Sequence, residues 1–227
     1  MKQTVDIIED IVNELTPTIT INSQSTTDGI ITLLTDKTYW IHTASRITID
    51  GKKYRVVDFV IDESLSLKPF TTGDTVDVDS FVLPKPTYFH GTEKMIRQEV
   101  NSIKDKTTIV PMIWLKEIYR DDQVFDAESA IDRETDLMLI FVDSADTENW
   151  LTDDHYTNVI YPIDKMVDLF IEKLGQNRFF TETFNFERTN LVNLSTEGLQ
   201  RSSIFDFNLS GKMIRLFAQI RKDFNCN

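Results

Sequence analysis

The feature that most constrains the fold is a short, uninterrupted run of apolar residues past the middle of the chain. Residues 137–142 are Leu-Met-Leu-Ile-Phe-Val, and charged or polar residues stand on both sides. Six residues are far too few to cross a bilayer, and no alternation assigns one face of the segment to water. The run therefore predicts a β-strand that other parts of the protein cover on both faces.

Three segments carry the helical spacing of apolar residues, with apolar side chains recurring every three or four positions. The clearest has Pro162 in its first turn and ends at Gly175, residue types that favour a helix start and a helix end. The first helix ends where Pro17 excludes the helical conformation from its predecessor. The predicted helices run from Val5 to Leu15, from Thr92 to Ile103 and from Pro162 to Gly175.

The first third of the chain has the alternation of β-strands. Asp28-Gly29 and Asp50-Gly51 are dipeptides that supply the positive φ of two-residue hairpin turns. An antiparallel meander is predicted, with strands at 18–21, 30–34, 39–41, 47–49, 54–61 and 75–78. Pro84 and Pro86 then interrupt the pattern, so 84–91 is predicted to be a linker or a crossing loop.

The rest of the chain predicts a second, mixed unit. A strand at 108–119 contains Pro111, a polar stretch from Asp121 to Thr135 follows, and the apolar strand comes next. A further strand holds Phe184 and Phe186, and a C-terminal hairpin is predicted to turn at Ser210-Gly211. The fold class is α+β: an N-terminal helix plus an antiparallel β-meander (1–83), then a small mixed α/β sheet with two helices and a C-terminal β-hairpin (92–227).

Composition narrows the functional classes. The 227 residues, 41% hydrophobic, are enough to bury a substantial core. The 37 acidic residues outnumber 24 basic ones, which gives a net charge of −13 that repels a phosphate backbone. Sequence-specific binding of nucleic acid is therefore not expected. The acidity serves solubility, or it forms a wall past which nucleic acid slides without binding.

Targeting and redox signals are absent from the sequence. Met1 and Lys2 lead directly into acidic residues, so a secretory signal is not expected. No apolar stretch is long enough to span a membrane. Cys226 is the single cysteine and has no intrachain partner. Synthesis in a reducing cytoplasm is predicted.

The strongest enzyme-like feature is a group of carboxylates just after the apolar strand. Asp143, Asp146 and Glu148 lie in a loop at the carboxyl end of a strand, where hard cations often bind. The same composition is typical of a turn followed by a helix cap. His42, His90 and His155 lie on separate segments without metal-binding spacing. We therefore predict neither catalytic residues, nor a bound metal, nor a cofactor, and keep a metal-dependent hydrolase as an alternative.

The polar stretch from Asp121 to Thr135 is long for a loop, and long loops often carry function. Phe125 is an apolar side chain within it, which suggests an anchor on another subunit. The candidate interface residues are Tyr119, Phe125 and Trp150. Asp121, Asp122, Asp153 and Asp154 are predicted to be solvated turn residues or, in an assembly, the carboxylates that line a passage for DNA.

Details of the second unit resemble a known group of proteins. They include Ile113-Trp-Leu115 in a strand, Tyr161-Pro-Ile163 at a helix start, and Ser203-Ile-Phe-Asp-Phe-Asn-Leu209 before Ser210-Gly211. Together with the order of elements, they resemble the tail-terminator and neck proteins of tailed bacteriophages, over roughly Thr92 to Lys222. The composition, rich in isoleucine and asparagine, is similar to that of phages of Bacteroidetes hosts, including crAss-like phages.

The resemblance implies a structural virion protein. Its protomers would form a hexameric or dodecameric ring in the neck, between the portal or adaptor and the tail, through which DNA passes. The family has no catalytic residues to carry over. The first unit is an addition to the short members of the family. A cytosolic adaptor outside any virion is the further alternative.

Overall fold

The computed structural model of the protein describes residues 3–43, 45–104, 108–124, 132–146, 149–191 and 209–220. Within these ranges the chain has the predicted α+β fold. The helices are α1 (Thr4–Asn13), α2 (Glu93–Ser102), α3 (Thr152–His155) and α4 (Tyr161–Gln176), with a π-helical segment at Tyr156–Ile160. The strands are β1 (Thr18–Thr27), β2 (Ile30–Thr35), β3 (Arg46–Ile49), β4 (Lys52–Val60), β5 (Ser64–Pro69), β6 (Ser80–Val82), β7 (Thr87–Gly91), β8 (Met112–Val124), β9 (Asp132–Ser144), β10 (Phe180–Leu191) and β11 (Leu209–Ile220).

The first sheet is an antiparallel sheet in the order β3-β4-β5-β2-β1-β6. Both predicted hairpin turns are confirmed. Asp28 and Gly29 connect β1 to β2 with φ of 52° and 75°, and Asp50 and Gly51 connect β3 to β4 with φ of 49° and 73°. Two successive positive φ values match the right-handed twist of paired strands. The second turn therefore sets the register of β3 against β4.

The second sheet has the order β10-β11-β9-β8-β7. Its neighbouring strands are antiparallel except for β7 and β8, which run parallel and are connected through α2. A parallel pair needs such a crossover because its second strand starts at the same end of the sheet as the first. Strand β9 therefore lies in the middle, paired along its length with β8 and β11.

Strand β9 is covered on both faces, as the apolar run predicted. Leu137, Leu139 and Phe141 lie in a core that includes residues of α1, α4 and the first sheet. The Phe141 ring packs edge-on against Phe170 of α4, with 5.3 Å between the ring centroids. The alternate side chains of β9 lie in a second apolar cluster with residues of α2.

The two sheets share the larger core, because its buried residues come from both sheets and from α1 and α4. Lys165 of α4 also forms an ion pair with Asp62, in the turn between β4 and β5, with 2.5 Å between Nζ and Oδ2. Of the predicted linker 84–91, residues 87–91 form β7 and belong to the second sheet. The division of the chain at this point stays a prediction.

Two predicted strands of the meander are wrong. Residues 39–41 belong to a turn, in which Tyr39 has a φ of 49° and Trp40 is buried. Residues 75–78 are irregular, and the carbonyl oxygen of Thr75 accepts hydrogen bonds from the Tyr54 hydroxyl and the Lys52 ammonium instead of joining a ladder. The sheet is completed by β6.

Within the polar stretch from Asp121 to Thr135, the described residues 121–124 and 132–135 are strand and not loop. Asp121 pairs with Thr135 and Val124 with Asp132, so β8 and β9 are thirteen residues long each. Pairing with β11 along the same stretch of β9 supplies the order that the polar sequence does not suggest. Phe125 lies outside the described residues.

A C-terminal strand pair is confirmed, but it joins β10 to β11, and the predicted turn at Ser210-Gly211 is wrong. Ser210 and Gly211 lie inside β11, where Gly211 pairs with Val142 on one side and Leu191 on the other. A Cβ at Gly211 would lie 1.9 Å from the carbonyl oxygen of Phe141. The glycine therefore marks a close approach of two strands.

Within the described ranges, the structure contains no helix with the length and apolar character needed to span a bilayer.

Replacing Gly211 tests this close approach. We expect Gly211→Ala to lower the free energy of unfolding by at least about 2 kcal/mol, because the backbone of β9 must move to admit the methyl group. Gly175→Ala is the control: its Cβ would lie 3.8 Å from the Phe184 ring, and a helical Ala should stabilise by about 0.5–1 kcal/mol. Urea unfolding measures both. A Gly211→Ala variant as stable as the wild type would contradict the described pairing.

Candidate functional site

A cleft of about 380 Å³ lies where the loop before β3 meets the end of β9. Its walls come from both sheets: Trp40, His42, Arg46, Arg55 and Phe70 from the first part of the chain, and Pro111, Asp143 and Ser144 from the second. Because both sheets contribute, the cleft exists only when they are packed together.

A buried ion pair closes the floor of the cleft. The His42 Nε2 atom lies 3.2 Å from Asp143 Oδ2, and each side chain is about 5% exposed or less. Trp40 and Ile41, both buried, anchor the loop that presents His42. The alternation of β9 turns Asp143 to the same face as Phe141, toward the first sheet.

The hydrogen bonds determine the protonation of this pair. The Nδ1 atom of His42 lies 2.7 Å from the Thr43 carbonyl oxygen, which can only accept, so Nδ1 carries a proton. Nε2 faces a carboxylate oxygen and also donates when the ring is charged. Burial disfavours the charged ring, but the charge and hydrogen bond of Asp143 and the Thr43 carbonyl outweigh it, and the pKa of His42 is raised.

The hydrogen bonds of His42 and Asp143 favour a structural role of the pair over a catalytic one. Both ring nitrogens of His42 are engaged, so neither is available to take a proton from a substrate. The Ser45 hydroxyl accepts the backbone N–H of His42, and the backbone N–H of Ser144 donates to Asp143 Oδ1 at 2.6 Å. The pair therefore joins the two sheets.

Two cationic side chains, Arg46 and Arg55, line the cleft, and a third, Lys68, lies beside Arg55 on the neighbouring strand. The register of β3, β4 and β5 places Arg46 opposite Arg55 and Arg55 opposite Lys68, and all three are exposed. We call these three residues the cationic row. Cross-strand neighbours share one face of a sheet with roughly 5 Å between their Cβ atoms. The row is a compact positive surface on a chain of net charge −13.

The carboxylates of the hydrolase alternative are not brought together. Asp143 is held by His42, and Asp146 accepts from the backbone N–H and the side-chain amide of Asn149 at 3.1 and 2.8 Å. Glu148 lies outside the described residues. In the part of the chain that the structure describes, no three His, Cys, Asp or Glu side chains are grouped so as to hold a metal ion.

The predicted passage carboxylates lie at two ends of the second sheet. Asp121 and Asp122 belong to the far end of β8, and their side chains are outside the description. Asp153 is exposed in α3, and Asp154 Oδ2 accepts the backbone N–H of Leu151. Helix α3 adjoins the cleft end, because His155 Nδ1 lies 3.4 Å from Ser210 Oγ, whose residue pairs with Asp143.

The structure does not bring the predicted interface residues Tyr119 and Trp150 together. Tyr119 lies in β8 where the register with β9 shifts, between Lys116 and Arg120. Trp150 is half-buried and packs edge-on against His155, with 5.6 Å between the ring centroids. The structure thus gives Trp150 a contact within the chain. Its role at an interface stays a prediction.

The sequence argument missed His42 and the cationic row as site residues. Two members of the row could have been predicted, since the two-residue turn at Asp50-Gly51 places residue 49 opposite 52 and therefore Arg46 opposite Arg55. No local pattern connects His42 to Asp143, because they are distant in sequence and meet only through the packing of the sheets.

The comparisons with known proteins identify no relative: no family model, no curated protein and no solved structure matches the chain.

The buried pair predicts a specific dependence of stability on pH. The pKa of His42 is raised in the fold, so its contribution is complete below the unfolded value of about 6.5 and is lost as pH rises through the folded value. We expect the wild type to lose stability in that window. His42→Gln should lack this loss and should cost about 3 kcal/mol at pH 6.

The matched control is His90→Gln, because His90 is an exposed histidine. Its effect on the free energy of unfolding should stay within about 0.5 kcal/mol. Chemical unfolding at several pH values between 5 and 9 measures all three proteins. If His42→Gln retained the full pH dependence of the wild type, the ion pair would not be its cause.

Proposed function

We propose that the protein is a structural subunit of a ring in the neck or tail-terminator region of a tailed bacteriophage. The ring, a hexamer or dodecamer of this chain, joins the head to the tail and lets DNA pass. Its neighbours are the portal or adaptor on one side and tail proteins on the other. The chain is made in the cytoplasm of the bacterial host and acts in the virion.

The observation that carries the proposal is the edge of β8 beyond the end of β7. Strand β7 pairs with residues 112–116 of β8, and from residue 117 to 124 no described strand lies on that edge. A long edge with unpaired N–H and C=O groups pairs with another chain unless something covers it. A neighbouring subunit in a closed ring would cover this edge.

Charge is consistent with this role. A passage for DNA must not hold phosphates, because each phosphate bound by a cation releases counterions and slows the moving duplex. The excess of acidic residues, 37 against 24, gives the chain a net charge of −13, which on average repels DNA. The order α2-β8-β9-α4-β10 further supports the proposal, since it matches the first part of the order on which the resemblance to neck proteins rests. The last part of that order, a hairpin that turns at Ser210-Gly211, is the single strand β11.

The cytosolic adaptor and the metal-dependent hydrolase remain alternatives. Asp143, which the hydrolase needs as a ligand, is already held in a buried ion pair. Stoichiometric binding of Mg²⁺ or Mn²⁺ in calorimetry, lost in Asp146→Asn, would favour the hydrolase. A monomer at every concentration, without binding to virion components, would favour the adaptor.

Assembly is measured by mass photometry of the full chain. We expect particles of six or twelve times the 26.4 kDa of one chain. Replacing residues 125–131 by Asn-Gly keeps the pair Val124–Asp132 and closes it with a two-residue turn. This variant should keep its fold, as measured by circular dichroism and unfolding, and should fail to assemble.

The control replaces Thr71-Thr72 by Ser-Ser, a conservative change at exposed turn residues of the first sheet. It should assemble like the wild type. If the variant with the shortened hairpin forms assemblies of unchanged size, segment 125–131 is not part of the interface. A wild type that stays monomeric in sedimentation velocity at high micromolar concentration would contradict the ring itself.

A further inference from the structure

The cationic row is an arrangement that the fold alone does not favour. Like charges directly opposite on neighbouring strands destabilise a sheet, and Arg46, Arg55 and Lys68 occupy three successive strands. Among the described residues, no acidic side chain forms an ion pair with Arg55 or Lys68. An anionic partner would offset this repulsion. Positions that contradict local preference are often functional.

The surroundings of the row indicate what kind of anion fits. Phe70 is 58% exposed, and the Arg46 guanidinium lies 5.9 Å from the centre of its ring. Pro84 and Pro111 form further apolar walls of the cleft. A DNA duplex keeps its bases stacked inside and presents only its sugar-phosphate backbone, whereas a peptide offers carboxylates and an apolar side chain together. The cleft therefore suits an acidic peptide segment with an apolar anchor.

This chain contains such a segment at the opposite end of the second sheet. Residues 121–134, which we call the acidic hairpin, carry six acidic residues, one arginine and Phe125. Met112 pairs with Val142 at the cleft end, and Val124 pairs with Asp132 at the hairpin end. These pairs are ten residues apart along β9, roughly 35 Å at about 3.4 Å per residue. A copy cannot reach its own cleft.

We propose that the acidic hairpin of one copy binds the cleft and the cationic row of the next. The carboxylates of the hairpin pair with Arg46, Arg55 and Lys68, and Phe125 occupies the apolar cleft beside Phe70. Complementary surfaces at opposite ends of one sheet make a head-to-tail contact, and such contacts close into rings when the rotation permits. The inference rests on the proposed function and names the interface that would build the ring.

A charge reversal with a matched control tests the contact. Arg55→Glu with Lys68→Glu should abolish assembly in mass photometry, because it turns an attractive surface into a repulsive one. Lys94→Glu with Arg97→Glu makes the same change in charge on exposed residues of α2 and should leave assembly unchanged. Equal loss of assembly in both variants would assign the effect to net charge and overturn the proposal.

Mixing two defective variants tests the head-to-tail geometry. One is the charge-reversed cleft, and the other is the shortened hairpin that lacks residues 125–131. Each retains one functional surface, so an equimolar mixture should form dimers and no rings. Dimers in either variant alone, or rings in the mixture, would contradict a single head-to-tail contact.

A peptide titration separates failure of this contact from failure of the ring. A synthetic peptide of residues 121–134 should bind the variant with the shortened hairpin, because no hairpin of another copy occupies its cleft. The same variant with Arg55→Glu and Lys68→Glu should bind the peptide at least about tenfold more weakly. If the peptide binds but the wild type does not assemble, the contact is supported and the ring is contradicted. If the wild type assembles but the peptide does not bind, the ring is supported and the contact is contradicted. Duplex DNA that binds at the row in place of the peptide would overturn the proposal.

Discussion

Strand β9 has hydrogen-bonded neighbours on both edges and apolar layers on both faces, and the rest of the molecule is arranged around it. One face packs on α4 and, through the shared core, on the first sheet, while the other packs with α2. The same strand carries Asp143 to the cleft at one end and begins in the acidic hairpin at the other. A single buried strand thus connects the two surfaces of interest.

The cleft forms only because the two sheets pack against each other. The apolar contacts of the core bring the two sheets together without directional preference. The ion pair of His42 and Asp143 adds direction, because a buried charge must find its partner at hydrogen-bond distance. The cleft mouth, with Arg46 and Arg55, is positioned as a consequence. Core packing therefore determines where the chain presents its few concentrated positive charges.

The sequence predicts what depends on local patterns. The helices follow from apolar spacing, the two Asp-Gly hairpins from turn chemistry, and the double coverage of β9 from its apolar run. Long-range features are different. Gly211 in a strand gives the same local signal as a glycine in a turn, and Trp40 looks like a strand residue although it anchors a loop. The ion pair of His42 with Asp143 has no local signal at all.

Zero-length cross-linking tests the central claim of a head-to-tail contact most directly. A carbodiimide couples a lysine amine to a carboxylate in contact with it, and mixing copies of normal and heavy-nitrogen protein distinguishes links within a copy from links between copies. Lys68 of one copy should be linked to an acidic residue between Asp121 and Glu134 of another. Assembled protein in which Lys68 forms links only elsewhere, or only within its own copy, would contradict the account.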